Sequence, residues 1–217
     1  MYQDFKDRET KAEEMRKTGT TTIGVICDNA VVLGADKKAT MGYMVASKDV
    51  KKILPLDDHI AMTIAGLVGD AQALERYIKA EIKLYSLKEE RKISVNSAAN
   101  LIANILYSRR FYPYIVQLVV GGYDKEPKLY SFDPSGSLSE EKEYFSTGSG
   151  SPYALGVLED KYKKGMSVED AKVMVARAIR SARERDIASG GKGIDIVVID
   201  SKGMHEIEPE EVEKLLN

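Results

Sequence analysis

The chain reads as an α+β protein in which two antiparallel sheets pack face to face, each covered on its outside by a pair of helices. Three observations predict this. Strand and helix patterns come in runs, in the order strands, two helices, strands, two helices, strands, and runs argue for segregated layers rather than βαβ alternation. The first two β-branched stretches are joined by Asp28-Asn29 alone, a link that closes antiparallel hairpins. Each helical stretch carries one apolar face, and sheets between helices bury every such face. No internal repeat, linker or low-complexity segment divides the 217 residues, so one domain follows a leader.

Taken in order, residues 1–19 are polar and charged, with Tyr2, Phe5, Ala12 and Met15 scattered among them. They suit a loose amphipathic helix and cannot hold a core alone. Residues 21–27 and 30–36 are apolar, β-branched strands. Residues 41–46 form a further short extended segment, and 48–52 hold three lysines. Another strand spans 59–65 and ends at Gly66. A helix over 70–85 sets Ala71, Leu74, Ile78, Ile82 and Tyr85 on one face, at spacings of three or four. A second over 95–111 does the same with Ala98, Leu101, Ile102, Ile105 and Leu106, and Pro113 marks its end. Strands return at 114–122 and 128–133, before the turn Pro134-Ser135-Gly136. Ser151-Pro152 opens a helix, with serine as cap and proline in the first turn, that runs to about Lys163. Ser167-Val168-Glu169-Asp170 resembles a capping box and opens a helix to about Asp186, with Ala171, Met174, Ala178 and Ala182 inward. Residues 194–200 and 204–207 form a last hairpin, and a short helix starts at Pro209.

Composition removes several function classes. The 32 Lys+Arg and 34 Asp+Glu nearly cancel, so no charge excess calls for nucleic acid or an anionic membrane. No apolar stretch is long enough for a transmembrane helix, and the leader lacks the apolar centre of a secretory signal. The single cysteine, Cys27, excludes an internal disulfide, suits a reducing compartment and reads as core filler within its strand. His59 and His205 stand in no metal-ligand spacing and read as surface or satisfied side chains, so no metal is expected. No serine lies in Gly-x-Ser-x-Gly. Gly190-Gly191-Lys192-Gly193 makes no phosphate loop, and Gly148-Ser149-Gly150 fails the dinucleotide pattern, so no cofactor is expected either.

What remains is Thr18-Gly19-Thr20-Thr21-Thr22-Ile23-Gly24. Read plainly, it is a β-branched strand start after a turn glycine. Were the Gly19–Thr20 bond cut, Thr20 would carry a free α-amine beside its own hydroxyl, a nucleophile with its own base. Such an amine titrates near ~7.7–8.0, so roughly a tenth to a fifth is neutral at pH 7. An unperturbed lysine, near ~10.4, is neutral in under about one part in a thousand. The terminal amine is therefore the natural final base. A nearby lysine serves better as a fixed cation that lowers the amine pKa. Backbone N–H groups aimed at the developing oxyanion would add to this, and glycines let the backbone approach closely.

At this point the residues resemble a family. Gly19-Thr20-Thr21-Thr22-Ile23-Gly24, Gly34-Ala35-Asp36-Lys37-Lys38, Lys51-Lys52-Ile53 and Met62-Thr63-Ile64-Ala65-Gly66-Leu67-Val68-Gly69-Asp70 are similar to the catalytic β subunit of the archaeal proteasome core. So are Gly121-Gly122-Tyr123-Asp124, Ser146-Thr147-Gly148-Ser149-Gly150-Ser151 and Arg185-Asp186-Ile187-Ala188-Ser189-Gly190-Gly191, and all stand in the family's order. The resemblance implies an N-terminal-nucleophile hydrolase, a four-layer αββα sandwich with two antiparallel sheets between helix pairs. It makes 1–19 a propeptide removed by self-cleavage between Gly19 and Thr20, and 20–217 the working domain.

By motif position, the resemblance makes Thr20 the nucleophile, Lys52 the charged neighbour of its hydroxyl and Asp36 the partner that orients Lys52. Ser149, Asp186 and Ser189 would ring the α-amine, and the Gly66 N–H would bind the oxyanion. Ala39, Val50, Leu54, Ile64 and Val68 match the family's pocket for the residue before the cut, and all are apolar, which implies apolar preference. The implied partners are polypeptide substrates, α subunits and other β subunits in sevenfold rings stacked four deep, and an ATP-dependent unfoldase acting through the α rings, in the cytoplasm. Rival readings are a non-catalytic β-type subunit, an N-terminal-nucleophile amidase acting on small amides, and the bacterial two-ring relative.

Overall fold

The computed structural model describes residues 19–216, and the amphipathic leader expected before Gly19 lies outside the described residues. Thr22–Cys27 (β1) and Ala30–Asp36 (β2) follow from their β-branched composition and form a hairpin in which Cys27 opposes Ala30. The two-residue turn works because Asn29 takes φ 53°, a left-handed conformation that asparagine tolerates. Period-two alternation then sends Val31, Leu33 and Ala35 to one face of β2, and Ala30 and Val32 to the other.

Each face finds its own core. β1 and β2 lie within a five-stranded antiparallel sheet, ordered Tyr144–Thr147 (β10), β1, β2, Ile194–Asp200 (β11) and Gly203–Glu206 (β12). The second sheet runs Ile53–Asp57 (β5), Ile60–Gly66 (β6), Val116–Tyr123 (β7), Pro127–Phe132 (β8) and Leu138–Glu141 (β9), also antiparallel. Between the sheets lie Val31, Leu33, Ala35, Ile53, Val119, Leu129 and Ile199. Outside the second sheet pack Val68–Glu89 (α1), which buries Ala71, Leu74, Ile78 and Ile82, and Val95–Ser108 (α2). Outside the first pack Ser151–Lys161 (α3), Val168–Arg185 (α4) and Pro209–Leu215 (α5). The result is the four-layer αββα sandwich anticipated above.

Several elements differ from expectation. The extended segment expected at 41–46 is a separate exposed hairpin, Ala39–Met41 (β3) with Met44–Ser47 (β4). β5 escaped notice because Pro55 sits inside a five-residue run. The chain accommodates it with a register shift between Pro55 and Asp57. β9 was hidden by its polar composition and β10 by its length of four residues, and both are edge strands. The cap of α3 is Gly150 rather than Ser151. Ser167 does cap α4, accepting from the Asp170 N–H at 3.1 Å. α1 is longer at both ends than its apolar face required, and α2 stops at Ser108, before Phe111.

Candidate active site

The entry to β1, the end of β2, the lead into β5 and the end of α4 converge on Thr20, which is 4% exposed. The Thr20 hydroxyl donates to the Gly19 carbonyl oxygen at 2.6 Å and accepts from Lys52 Nζ at 3.1 Å. Lys52 leads directly into β5 and is equally buried. Its ammonium also donates to Asp36 Oδ1 at 2.7 Å. Asp36 ends β2 and is wholly buried, so its charge must be satisfied within the fold. Four donors do this: Lys52 Nζ and the Thr21 N–H at Oδ1, and the Lys38 and Gly190 N–H groups at Oδ2, at 2.7, 2.9, 3.2 and 2.8 Å.

On the other side of Thr20 lies a hydroxyl–carboxylate group. The Thr20 N–H donates to Ser149 Oγ at 3.3 Å, and Ser149 Oγ donates to Asp186 Oδ2 at 2.6 Å. Ser189 Oγ donates to the same carboxylate oxygen at 2.5 Å and meets Thr21 Oγ1 at 2.6 Å. Burial pulls the Lys52 ammonium below the ordinary lysine range, against the opposing pull of the Asp36 charge. A cation held there is short of solvent, and so easier to deprotonate than a surface lysine.

The structure therefore brings Thr20, Asp36, Lys52, Ser149, Asp186 and Ser189 into one connected set. Gly66 lies two residues beyond Ile64 on β6, and the Ile64 N–H donates to the Lys52 carbonyl. Gly66 takes φ +129°, and a Cβ there would lie 2.1 Å from the Ile115 carbonyl oxygen, so both conformation and space demand glycine. The five apolar positions are less uniform. Leu54 and Ile64 pack on the α1 side of their sheet, Ala39 and Val50 are half-buried, and Val68 is exposed at the start of α1.

Sequence reasoning missed several contributors. Thr21 supplies both an N–H to Asp36 and a hydroxyl to Ser189. The Gly19 N–H donates to Thr40 Oγ1, and a Cβ on Gly19 would fall 1.6 Å from the Ala188 Cβ. The Gly150 N–H donates to the Thr20 carbonyl at 3.2 Å, and Gly148 passes so close that a Cβ would meet that oxygen at 2.1 Å. Only the glycine spacing around Ser149 hinted at this. A chain of buried hydroxyls, Thr63 to Thr22 to Thr147, lies behind β1 and left no signal beyond β-branched composition.

Groups outside the site behave as ordinary chemistry dictates. Burial pushes the Cys27 thiol up to about 11, which makes it a poor nucleophile. His59 is satisfied, with Nε2 against the Ile93 carbonyl and Nδ1 against Asp58, each at 2.9 Å. Among the described residues, donor atoms of Asp57, Asp58 and His59 lie within 4.8 Å of one another, a spacing that a metal ion can bridge. Asp58 is already ion-paired to Lys92, and the cluster lies at the far end of β6 from Gly66. Among the described residues no helix is long and apolar enough to cross a membrane.

A family model described as proteasome subunit matches residues 16–199. The chain is 50% identical to a proteasome subunit beta of Methanocaldococcus fervens over 201 residues, covering 92% of this chain and 89% of that protein. It is 51% identical to proteasome subunit beta 2 of Aeropyrum pernix, covering 89% and 88% of the two chains. It is likewise 51% identical to a proteasome subunit beta of Ferroglobus placidus, covering 91% and 94%. With the four layers and this similarity in hand, the chain belongs to the proteasome subunit family and is of its β type.

Proposed function

We propose that this chain is a threonine endopeptidase that frees its own nucleophile by cutting between Gly19 and Thr20, and then hydrolyses peptide bonds of unfolded proteins inside a closed chamber. One observation carries the reading. A buried hydroxyl two residues ahead of β1 touches both the carbonyl group before it, at 2.6 Å, and a desolvated lysine, at 3.1 Å.

In self-cleavage, Thr20 Oγ attacks the Gly19 carbonyl carbon while the hydroxyl proton passes to a base. The tetrahedral adduct collapses with rupture of the C–N bond, and the nitrogen takes up the proton. The acyl group is then an ester on Thr20, and water hydrolyses it to leave a Gly19 carboxylate, a free hydroxyl and a free α-amine. While the bond is intact the Thr20 nitrogen is an amide and cannot accept a proton. Lys52 is then the base in contact with the hydroxyl, and its depressed pKa suits the task. Asp36 holds Lys52 in place.

After cleavage the new amine takes over as base, near ~7.7–8.0, and Lys52 returns to the role of neighbouring cation. Ser149, Asp186 and Ser189 surround the amine, and the Gly66 N–H is the oxyanion donor. Substrates follow the same acyl-ester path, with an apolar side chain seated by Ala39, Val50, Leu54, Ile64 and Val68. The names of the relatives support assembly with other proteasome subunits, and sevenfold rings fed by an ATP-dependent unfoldase in the cytoplasm complete the reading.

Intact-mass measurement of the chain co-produced with α subunits tests this directly. The expected product begins at Thr20, and Thr20→Ala stays full length with no peptidase activity. A full-length wild-type chain in an active particle would overturn the reading. So would undiminished proteolysis by Thr20→Ala.

A further inference from the structure

We propose that Gln117 is a positioning residue for the Thr20 nucleophile, acting through the turn of residues 148–150. The inference rests on the peptidase reading above. That turn grips Thr20 at both ends of its backbone, since Ser149 Oγ accepts from the Thr20 nitrogen and the Gly150 N–H donates to its carbonyl. Gly148, at φ +92°, lies against the same carbonyl with no room for a side chain. A turn this closely fitted transmits its own displacement to the nucleophile.

The turn's other side faces a cavity lined largely by hydroxyl side chains, with Phe132 and Phe145 also on its wall. Ser131, Ser137, Ser139, Ser146 and Ser151 line it, as does Gln117. From β7, in the opposite sheet, the Gln117 side-chain carbonyl accepts from the Gly148 N–H at 3.2 Å. This bond joins the two halves of the site across that cavity, beside the apolar packing of Phe145 against the core between the sheets. On β7, Gln117 opposes Ala65, and its neighbour Val116 opposes Gly66. The residue that pins the Ser149 turn thus belongs to the ladder that carries the oxyanion glycine. Fixing both from one strand sets the distance between nucleophile and oxyanion donor, a distance to which rates respond steeply.

What matters in this account is an acceptor at the end of a side chain of glutamine length. Gln117→Met keeps the volume and loses the acceptor, whereas Gln117→Glu keeps both. The test uses assembled particles whose processing has been checked by intact mass, with steady-state hydrolysis of an apolar fluorogenic peptide. Gln117→Met is expected to lower kcat about 10–100-fold with KM held within about twofold, and Gln117→Glu to stay within about threefold of wild type. Retained kcat in Gln117→Met would overturn the proposal, as would equal losses in both variants or a loss confined to KM. Should Gln117→Met not assemble, Gln117→Glu decides alone, and a fall beyond about thirtyfold in that variant counts against the acceptor. An inactive wild-type particle would instead refute the peptidase reading, so the two failures are distinguishable.

Discussion

At the scale of single residues, the site turns on how a buried carboxylate and a buried ammonium share their burden. Asp36 accepts four hydrogen bonds, three of them from backbone, so both of its buried oxygens are partnered within the fold. Lys52 has two oxygen partners and is left the more deprived, so burial outweighs attraction and its pKa falls. The neutral fraction of a base with a lowered pKa saturates at lower pH. Self-cleavage of the precursor should accordingly speed up with pH and level off below the ordinary lysine value of 10.5. Single-turnover processing between pH 6 and 10, followed by intact mass, reads this out. A rate still climbing tenfold per pH unit at pH 10 would speak against Lys52 as the base. Glycines work at the same scale by subtraction: Gly19 faces the Ala188 Cβ at a distance no side chain could survive.

Among the elements, β1 and β2 matter most because their ends deliver Thr20 and Asp36 to the same place. Their alignment depends on α4 seating closely over them, and Gly34 makes room for it. A Cβ at position 34 would lie 2.3 Å from Val175 Cγ1 and 2.9 Å from Ile179 Cδ1. Gly34→Ala is therefore expected to destabilise the chain by about 1–3 kcal/mol, the usual effect of overpacking. For a domain of this size that lowers Tm by roughly 2–4 °C per kcal/mol, which calorimetry can measure. Unchanged thermal stability would mean that helix and sheet have slack the structure does not show. The elements legible in advance were those with strong periodicity, such as α1 and β2. Those hidden were β5, broken by proline, β9, whose side chains are mostly polar, and β10, too short at four residues to show a period. β10 leads straight into the turn that holds Thr20, so part of the site rested on an element that only its family motif, and no periodicity, gave away.

At the scale of the whole molecule, the hairpin of β3 and β4 is an apolar projection that its own core does not explain. β3 and β4 pair with neither large sheet, and their hairpin carries Met41, Tyr43, Met44 and Val45 exposed, Tyr43 fully so at 103%. An isolated two-stranded hairpin is marginal in water, and clustered apolar side chains at its tip mark a contact surface. For a member of a family of subunits, the expected occupant is a neighbouring subunit. The double substitution Tyr43→Ser with Met44→Ser should shift the chain from the large particle toward free subunit when co-produced with α subunits. Analytical ultracentrifugation would detect that shift, and unaltered particle yield would show that the hairpin takes no part in assembly.

The amino-acid sequence alone determined the layer order, the helix faces and Thr20 as the candidate nucleophile, and its resemblance to the proteasome β subunits added Asp36, Lys52, Ser149, Asp186 and Ser189. Periodicity and motif spacing are local properties, and local properties survive in a one-dimensional string. Folding alone decided that these six residues are wired together, that Thr21, Gly148, Gly150 and Gln117 support them, and that Lys52 is the desolvated partner. Each of those outcomes depends on distances and burial between segments far apart along the chain. Such quantities exist only once two sheets have closed on one another.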